Sequence, residues 1–213
     1  MVVFVILTSS NIKAQKHRIL VVLYDRFQFS SQYSLDEIAA ACHVESSEVF
    51  NEYHRNINAA FESYNSDNFE FVAISNLHSL GLRKQTSYKY GKFDRKKYYS
   101  INLSMLSNEE FTQLAKNYNV DFVLFVNWYN IEKTIHTNYV GDNNKRLPFS
   151  LHNIDYELYN SKKIKLFGDG NIKINCGNFP TLENQAAKGL NPKLLTPCYN
   201  NLFKEILSHI VLN

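Results

Sequence analysis

The chain has 213 residues, 45% of them hydrophobic and 20% charged, with a formal net charge of +3. These are globular values, which exclude a disordered or low-complexity chain. The mild charge argues against nucleic acid or an anionic membrane as the main partner, and no apolar run reaches the roughly 20 residues that span a bilayer.

Residues 1–15 (MVVFVILTSSNIKAQ) place an apolar run, Val2 to Leu7, before small and polar residues. This pattern reads as the remnant of a secretory signal peptide, and the missing basic start suggests that Met1 is an internal methionine. No Cys follows the run, so a lipid anchor there is not expected. Residues 16–213 are then expected to form a single α/β domain, periplasmic or secreted.

Arg18–Tyr24 (RILVVLY) is a continuous apolar run of strand length, suited to burial on both faces. A polar loop, Asp25–Tyr33, follows. Ser34 precedes Leu35-Asp36-Glu37 and predicts an N-capped helix to about Val44. Ser46 or Ser47 is expected to cap the next helix. Its apolar face is Val49, Phe50, Tyr53, Ile57, Ala60, Phe61 and Tyr64, and its polar face Glu48, Glu52, Arg55 and Asn58. Phe69–Ile74 is the second strand, and strand–helix–strand implies a right-handed crossover and a parallel pair.

Asn76–Ser100 is the least regular stretch. Ser107-Asn108-Glu109-Glu110 is a capping box, and Asn119 closes the helix it starts. Val120–Tyr129 is the third strong strand and extends past Ile135. Gly141-Asp142-Asn143-Asn144 predicts a turn. His152–Tyr159 alternates with a period of two, and Asn160–Lys163 is a hairpin turn returning through Ile164–Phe167. Asn171–Asn175 could extend that strand beyond Gly168-Asp169-Gly170. A closing helix starts at Leu194, where Pro197 is tolerable only in the first turn. The order β-α-β-α-β-β-β-α predicts an α/β (α+β) single-domain sandwich. Its mixed sheet is parallel early and ends in an antiparallel hairpin.

Three segments carry a resemblance: RILVVLYDRFQFSS, VDFVLFVNWYNIEK and IDYELYNSKKIKLFGDG. Together they resemble a group of uncharacterised exported proteins of Bacteroidetes. More distantly, they resemble the α/β domain shared by the curli-secretion lipoprotein, the penicillin-binding-protein activator and the N-terminal domain of the Tol-system propeller protein. Asn160 stands where that hairpin usually has Asp. The resemblance implies work by protein–protein contact in the envelope, without catalysis.

Metal sites need clustered ligands, whereas the seven histidines are scattered and Cys42-His43 is the only adjacent Cys–His pair. Helix neighbours point about 100° apart, so those two cannot easily share a metal. His152 and Asp155 fall on opposite faces of a regular strand and read as surface residues. There is no Gly-x-Ser-x-Gly and no phosphate loop. No catalytic residue, metal or cofactor is therefore expected.

The sharpest positive feature is basic and aromatic: Arg83, Lys84, Tyr88, Lys89, Tyr90, Lys92, Arg95, Lys96 and Lys97. Such a mixture suits anionic polymers or ring stacking, and a solvated loop is its plainer reading. Cys176 and Cys198 are a possible disulfide in an oxidising compartment; three free thiols remain the alternative. Cys42 reads as a buried small hydrophobe. The expected role is a non-catalytic exported envelope domain, its partner an envelope protein or an anionic envelope polymer. The alternative is a motif-poor hydrolase or carbohydrate-active enzyme built from scattered Asp, Glu and His.

Overall fold

The computed structural model describes residues 15–93, 95–140, 143–174 and 189–210. Residues 1–14, which hold most of the expected signal remnant, lie outside these, as do Gly141, Asp142 and Cys176.

The central strand is β1 (His17–Val22), flanked by β3 (Phe69–Ala73) and β6 (Phe122–Val140), both parallel to it. Being central, it is covered by neighbours on both edges and helices or strands on both faces, which explains its unbroken apolar run. β2 (Phe29–Ser31) takes over beside β6 where β1 leaves, pairing with Tyr129–Ile131. β7 (Asn143–Asn160) and β8 (Lys165–Ile174) complete the sheet antiparallel, in the order β3-β1-β6-β7-β8. This is the mixed sheet expected from the sequence, parallel early and antiparallel late.

Alternation along the strands sorts side chains onto two faces. Ile19, Val21, Leu124, Val126, Ile154 and Tyr156 enter the larger core cluster. They meet α1 (Leu35–Cys42), α2 (Val49–Ser63), the short α5 (Pro192–Leu195) and α6 (Tyr199–Ser208). Leu20, Val22, Val123 and Phe125 enter the smaller cluster on the other face. There they meet α4 (Asn108–Tyr118), Leu82 of α3 (Asn76–Arg83), and Ile101 of a separate hairpin, β4 (Ser87–Phe93) with β5 (Lys96–Asn102).

The capping signals act as expected. Ser34 with Glu37 and Ser107 with Glu110 form capping boxes, and Asn119 ends α4 in the left-handed region at φ 50°. Asn160–Lys163 is the β7–β8 turn, with Lys163 at φ 63°. Pro197 sits in the first turn of a 3-10 segment, Thr196–Cys198, which leads into α6.

Four expectations are corrected. The stretch 76–100 holds α3 and the β4–β5 hairpin. α3 is only eight residues long, and with Leu77 and Leu80 exposed it offers no extended apolar face to read from the sequence. Neither Ser46 nor Ser47 caps α2: both lie in a 3-10 turn, and Ser46 Oγ donates to Asp36 instead (2.5 Å). Glu52 is buried, its carboxylate taken by Arg55 and Lys193. His152 and Asp155 are buried too, because both faces of β7 are covered. No helix among the described residues is long and apolar enough to cross a membrane.

Candidate functional site

The nine basic and aromatic residues separate into two places. Arg83 and Lys84 end α3. Lys84 is exposed, and the Arg83 guanidinium turns toward Asp25 (3.7 Å). Tyr88, Lys89, Tyr90, Lys92, Arg95, Lys96 and Lys97 lie on the β4–β5 hairpin, with Arg95 at its turn with φ 68°. Tyr88 is a core residue, packed on the smaller cluster. Burial, then the Asp25 carboxylate, pushes its hydroxyl up to about 12.

The hairpin is fastened to the sheet by two carboxylates of β7. Asp155 accepts the backbone N–H of Tyr99 (2.8 Å), and Glu157 that of Ile101 (3.2 Å). Glu157, fully buried, also accepts from Tyr98 Oη (2.6 Å), Ser100 Oγ (2.5 Å) and Tyr159 Oη (3.0 Å). Lys165 completes the ring of donors, bonding to both Glu157 and Tyr98. Burial and the hydrogen bond to Glu157 raise the Tyr98 hydroxyl far above its usual range, so it stays a donor. A buried carboxylate ringed in this way is a structural anchor.

Tyr98 reaches the sheet because β8 has no side chains beneath it. A Cβ on Gly168 would lie 2.4 Å from Tyr98 Oη, and one on Gly170 would lie 2.3 Å from Tyr98 Cβ. Gly168-Asp169-Gly170 is thus a flat track inside a continuous strand rather than its end.

The hairpin face that sends Tyr88 and Ile101 into the core continues toward the turn, where it becomes exposed. Tyr90 lies directly opposite Tyr99, and Lys92 opposite Lys97, so all four share that face. The Tyr99 ring stacks on Trp128 at 4.0 Å and 13°, and Tyr90 follows at 4.3 Å from Tyr99. Trp128 is half-buried, and its Nε1 donates to Ser30 Oγ (2.9 Å), which locks the ring. Tyr90 is 69% exposed. Its hydrogen bond to Tyr99, and then burial, raises the Tyr99 hydroxyl. The result is a ladder of three rings ending in two exposed lysines. Lys89 pairs with Ser100 and belongs to the opposite face. Nothing in the spacing marked Trp128 as the base of this ladder. A register shift between Val126 and Trp128, where Asn127 is the extra residue, turns it toward the hairpin.

A second polar cluster lies in the larger core. Tyr199 Oη meets Tyr129 Oη (3.1 Å), Tyr129 Oη meets His152 Nδ1 (3.0 Å), and His152 Nε2 meets the Gly189 carbonyl (2.7 Å). The carbonyl can only accept, so Nε2 carries the proton. Tyr129 then donates to Nδ1 and Tyr199 donates to Tyr129. Burial lowers His152 to about 4, keeping it neutral. Cys42 and Tyr53 both donate to the Leu190 carbonyl, at 3.3 and 2.6 Å. This chain ties Gly189 and Leu190 to the core and leaves His152 no nitrogen for a substrate.

Cys42 is a buried free thiol, as expected, pushed up to about 11 by burial. Cys198 is disulfide-bonded, and Cys176, the pairing expected for it, lies outside the described residues. Among the described residues, no three His, Cys, Asp or Glu side chains are grouped closely enough to hold a metal ion.

Fold and site together define a mixed α/β sandwich that presents an aromatic and basic hairpin face. No protein-family model and no curated protein matches the chain. Among solved structures it is similar to a neuraminyllactose-binding hemagglutinin homolog from Helicobacter pylori, at 10% identity and a TM-score of 0.43, over 93% of this chain and 87% of that one. It is also similar to the hypothetical protein CT253 from Chlamydia trachomatis, at 14% identity and a TM-score of 0.37, over 91% and 95%.

Proposed function

We propose that this chain is a non-catalytic envelope domain that binds another protein through the Trp128–Tyr99–Tyr90 ladder and the Lys92–Lys97 pair. The observation that carries this reading is the lysine pair. Two like charges directly opposite on a hairpin repel, at a cost of roughly 0.2–1 kcal/mol. Next to a locked aromatic ladder, that cost makes sense if an acidic surface covers the pair. Rigid tyrosine and tryptophan rings supply contact area with little entropy loss, as at interface hot spots.

The two buried β7 carboxylates and His152 would be the natural acids and bases of an enzyme. They are already fully engaged in holding the hairpin and the core, which favours binding over hydrolysis. Export is supported by the apolar start of the chain and by the disulfide at Cys198, which suits an oxidising compartment. The resemblance to envelope α/β domains points the same way.

The test compares wild type with Lys92→Glu/Lys97→Glu, Tyr99→Ala and Lys89→Glu in capture from an envelope fraction. A protein recovered by wild type and by Lys89→Glu, and lost with the other two, supports the reading. Equal recovery by all four overturns it. Selective recovery of a polysaccharide or lipid instead replaces the protein partner with an anionic polymer.

A further inference from the structure

Arg83, one of the two basic residues that lie off the hairpin, lines a crevice at the opposite end of the parallel strands from β1's start. β1 hands the chain to α1 and α2 on one face, while its neighbour β3 hands it to α3 on the other. Where adjacent parallel strands part in this way, a crevice opens outside their carboxyl ends, and open α/β sheets bind ligands there. Here that crevice has a volume of about 310 Å³, at the small end of ligand sites.

Its floor is Val21, Leu23 and Ile74, and its walls carry His54 and Asn58 of α2 and Arg83 of α3. The Arg83 side chain is only 32% exposed, yet its guanidinium makes no hydrogen bond among the described residues. Its one ion-pair contact, Asp25 at 3.7 Å, is beyond hydrogen-bond reach. Asp25 is already occupied: its other oxygen accepts Phe27 N–H (2.8 Å). A largely buried guanidinium has five donors and a fork that matches carboxylate or phosphate oxygens. His54 stands beside it, packed on Tyr24 and Phe50 and kept neutral by burial and then by Arg83. Neither of its ring nitrogens has a hydrogen-bond partner among the described residues. Glu62 on the same wall is exposed, and its carboxylate is held by Asn58 (2.7 Å).

We infer that this crevice binds a small organic anion, a carboxylate or a phosphate monoester. Its oxygens engage the Arg83 fork, its apolar body rests on Val21, Leu23 and Ile74, and His54 supplies a neutral polar contact. The site lies apart from the hairpin face, and its occupancy does not depend on the protein partner.

The test is titration of the full chain with benzoate and with phenyl phosphate, followed by amide chemical shifts and calorimetry. Both probes are expected to move the amides of Ser79 and Arg83, and the tighter one identifies the natural anion. Arg83→Gln is expected to weaken binding about tenfold or more, since one charge-assisted pair is removed. Arg83→Lys is expected to restore part of it. Ala59→Phe fills the crevice from the exposed side of α2 without touching Arg83, and abolishes binding even where Arg83→Gln unfolds the chain. Lys92→Glu/Lys97→Glu binds both probes like wild type. Absence of any shift at the crevice, or binding that survives both Arg83→Gln and Ala59→Phe, overturns the inference.

Discussion

Glu157 of β7 accepts the backbone N–H of Ile101 of β5, so a side chain does the work of a neighbouring strand. Two residues earlier, Asp155 does the same for Tyr99. Both pairs are spaced by two, the repeat at which strand side chains share a face and edge N–H groups point the same way. The edge of β5 that would invite another chain is thereby closed by carboxylates.

Replacing Glu157 with Gln keeps the shape and turns an acceptor into a donor among donors. Tyr98, Ser100 and Lys165 share one carboxylate oxygen, and Tyr159 and the Ile101 N–H share the other, so one of these two sets would face an amide nitrogen in a fully buried site. The expected loss is about 2–4 kcal/mol of stability, typical of a broken buried charge network. Urea unfolding followed by the fluorescence of Trp128, the single tryptophan, checks it. An unchanged midpoint would contradict the anchor role.

Gly168→Ala and Gly170→Ala are both expected to destabilise by about 1–3 kcal/mol through overpacking. Their responses to a second change differ. At Gly168 the conflict is with the far end of Tyr98, at Gly170 with its Cβ. Tyr98→Ala removes the first obstacle and retains the second. A double-mutant cycle should therefore show relief for Gly168→Ala and none for Gly170→Ala.

His152 makes stability depend on pH. Its folded value, about 4, lies below the unfolded value near 6.5. Above 6.5 neither state holds the proton, and the stability is complete. As pH falls from 6.5 toward 4, the unfolded chain takes up a proton that the folded chain refuses. Stability is therefore lost across that window, by up to about 3 kcal/mol. Denaturation midpoints of wild type and His152→Gln at several pH values isolate this contribution. Parallel curves would rule it out.

Cysteine chemistry can be read directly. Peptide mapping without reductant is expected to join Cys176 to Cys198 and to leave Cys42 as the thiol. Burial holds Cys42 near 11, so a thiol reagent at pH 8 should be slow on the folded chain and fast in denaturant. Rapid labelling of native protein, or a bridge that includes Cys42, would refute this assignment.

Much of the scaffold was legible from short-range signals. The face of α2 (Tyr53, Ile57, Ala60, Phe61), the capping boxes at Ser34 and Ser107 and the turn at Asn160–Lys163 all follow from local periodicity and hydrogen bonding. The candidate sites were only half legible. Tyr90, Lys92 and Lys97 stood out as a basic-aromatic cluster. Trp128 was not marked as part of the cluster, because a β-bulge directs it, and Arg83 was grouped with the hairpin, because the short helix that ends at it went unread.

Sequence alone was enough for the main strands and helices outside residues 25–33 and 76–100, because those depend on residues within a turn or two of one another, and their order implied the parallel-then-antiparallel sheet. It was also enough to mark residues 83–97 as unusual. Which polar residues are buried was a matter for the assembled chain. Alternation along β7 distinguishes two faces, but whether water or a hairpin covers the second face depends on contacts 56 residues away. That is why Asp155, expected at the surface, and Glu157 became anchors of the hairpin, while His152, also expected at the surface, is buried on the other face by Tyr129 and the Gly189 carbonyl. The same long-range packing left Arg83, half-buried on the crevice wall, with donors to spare.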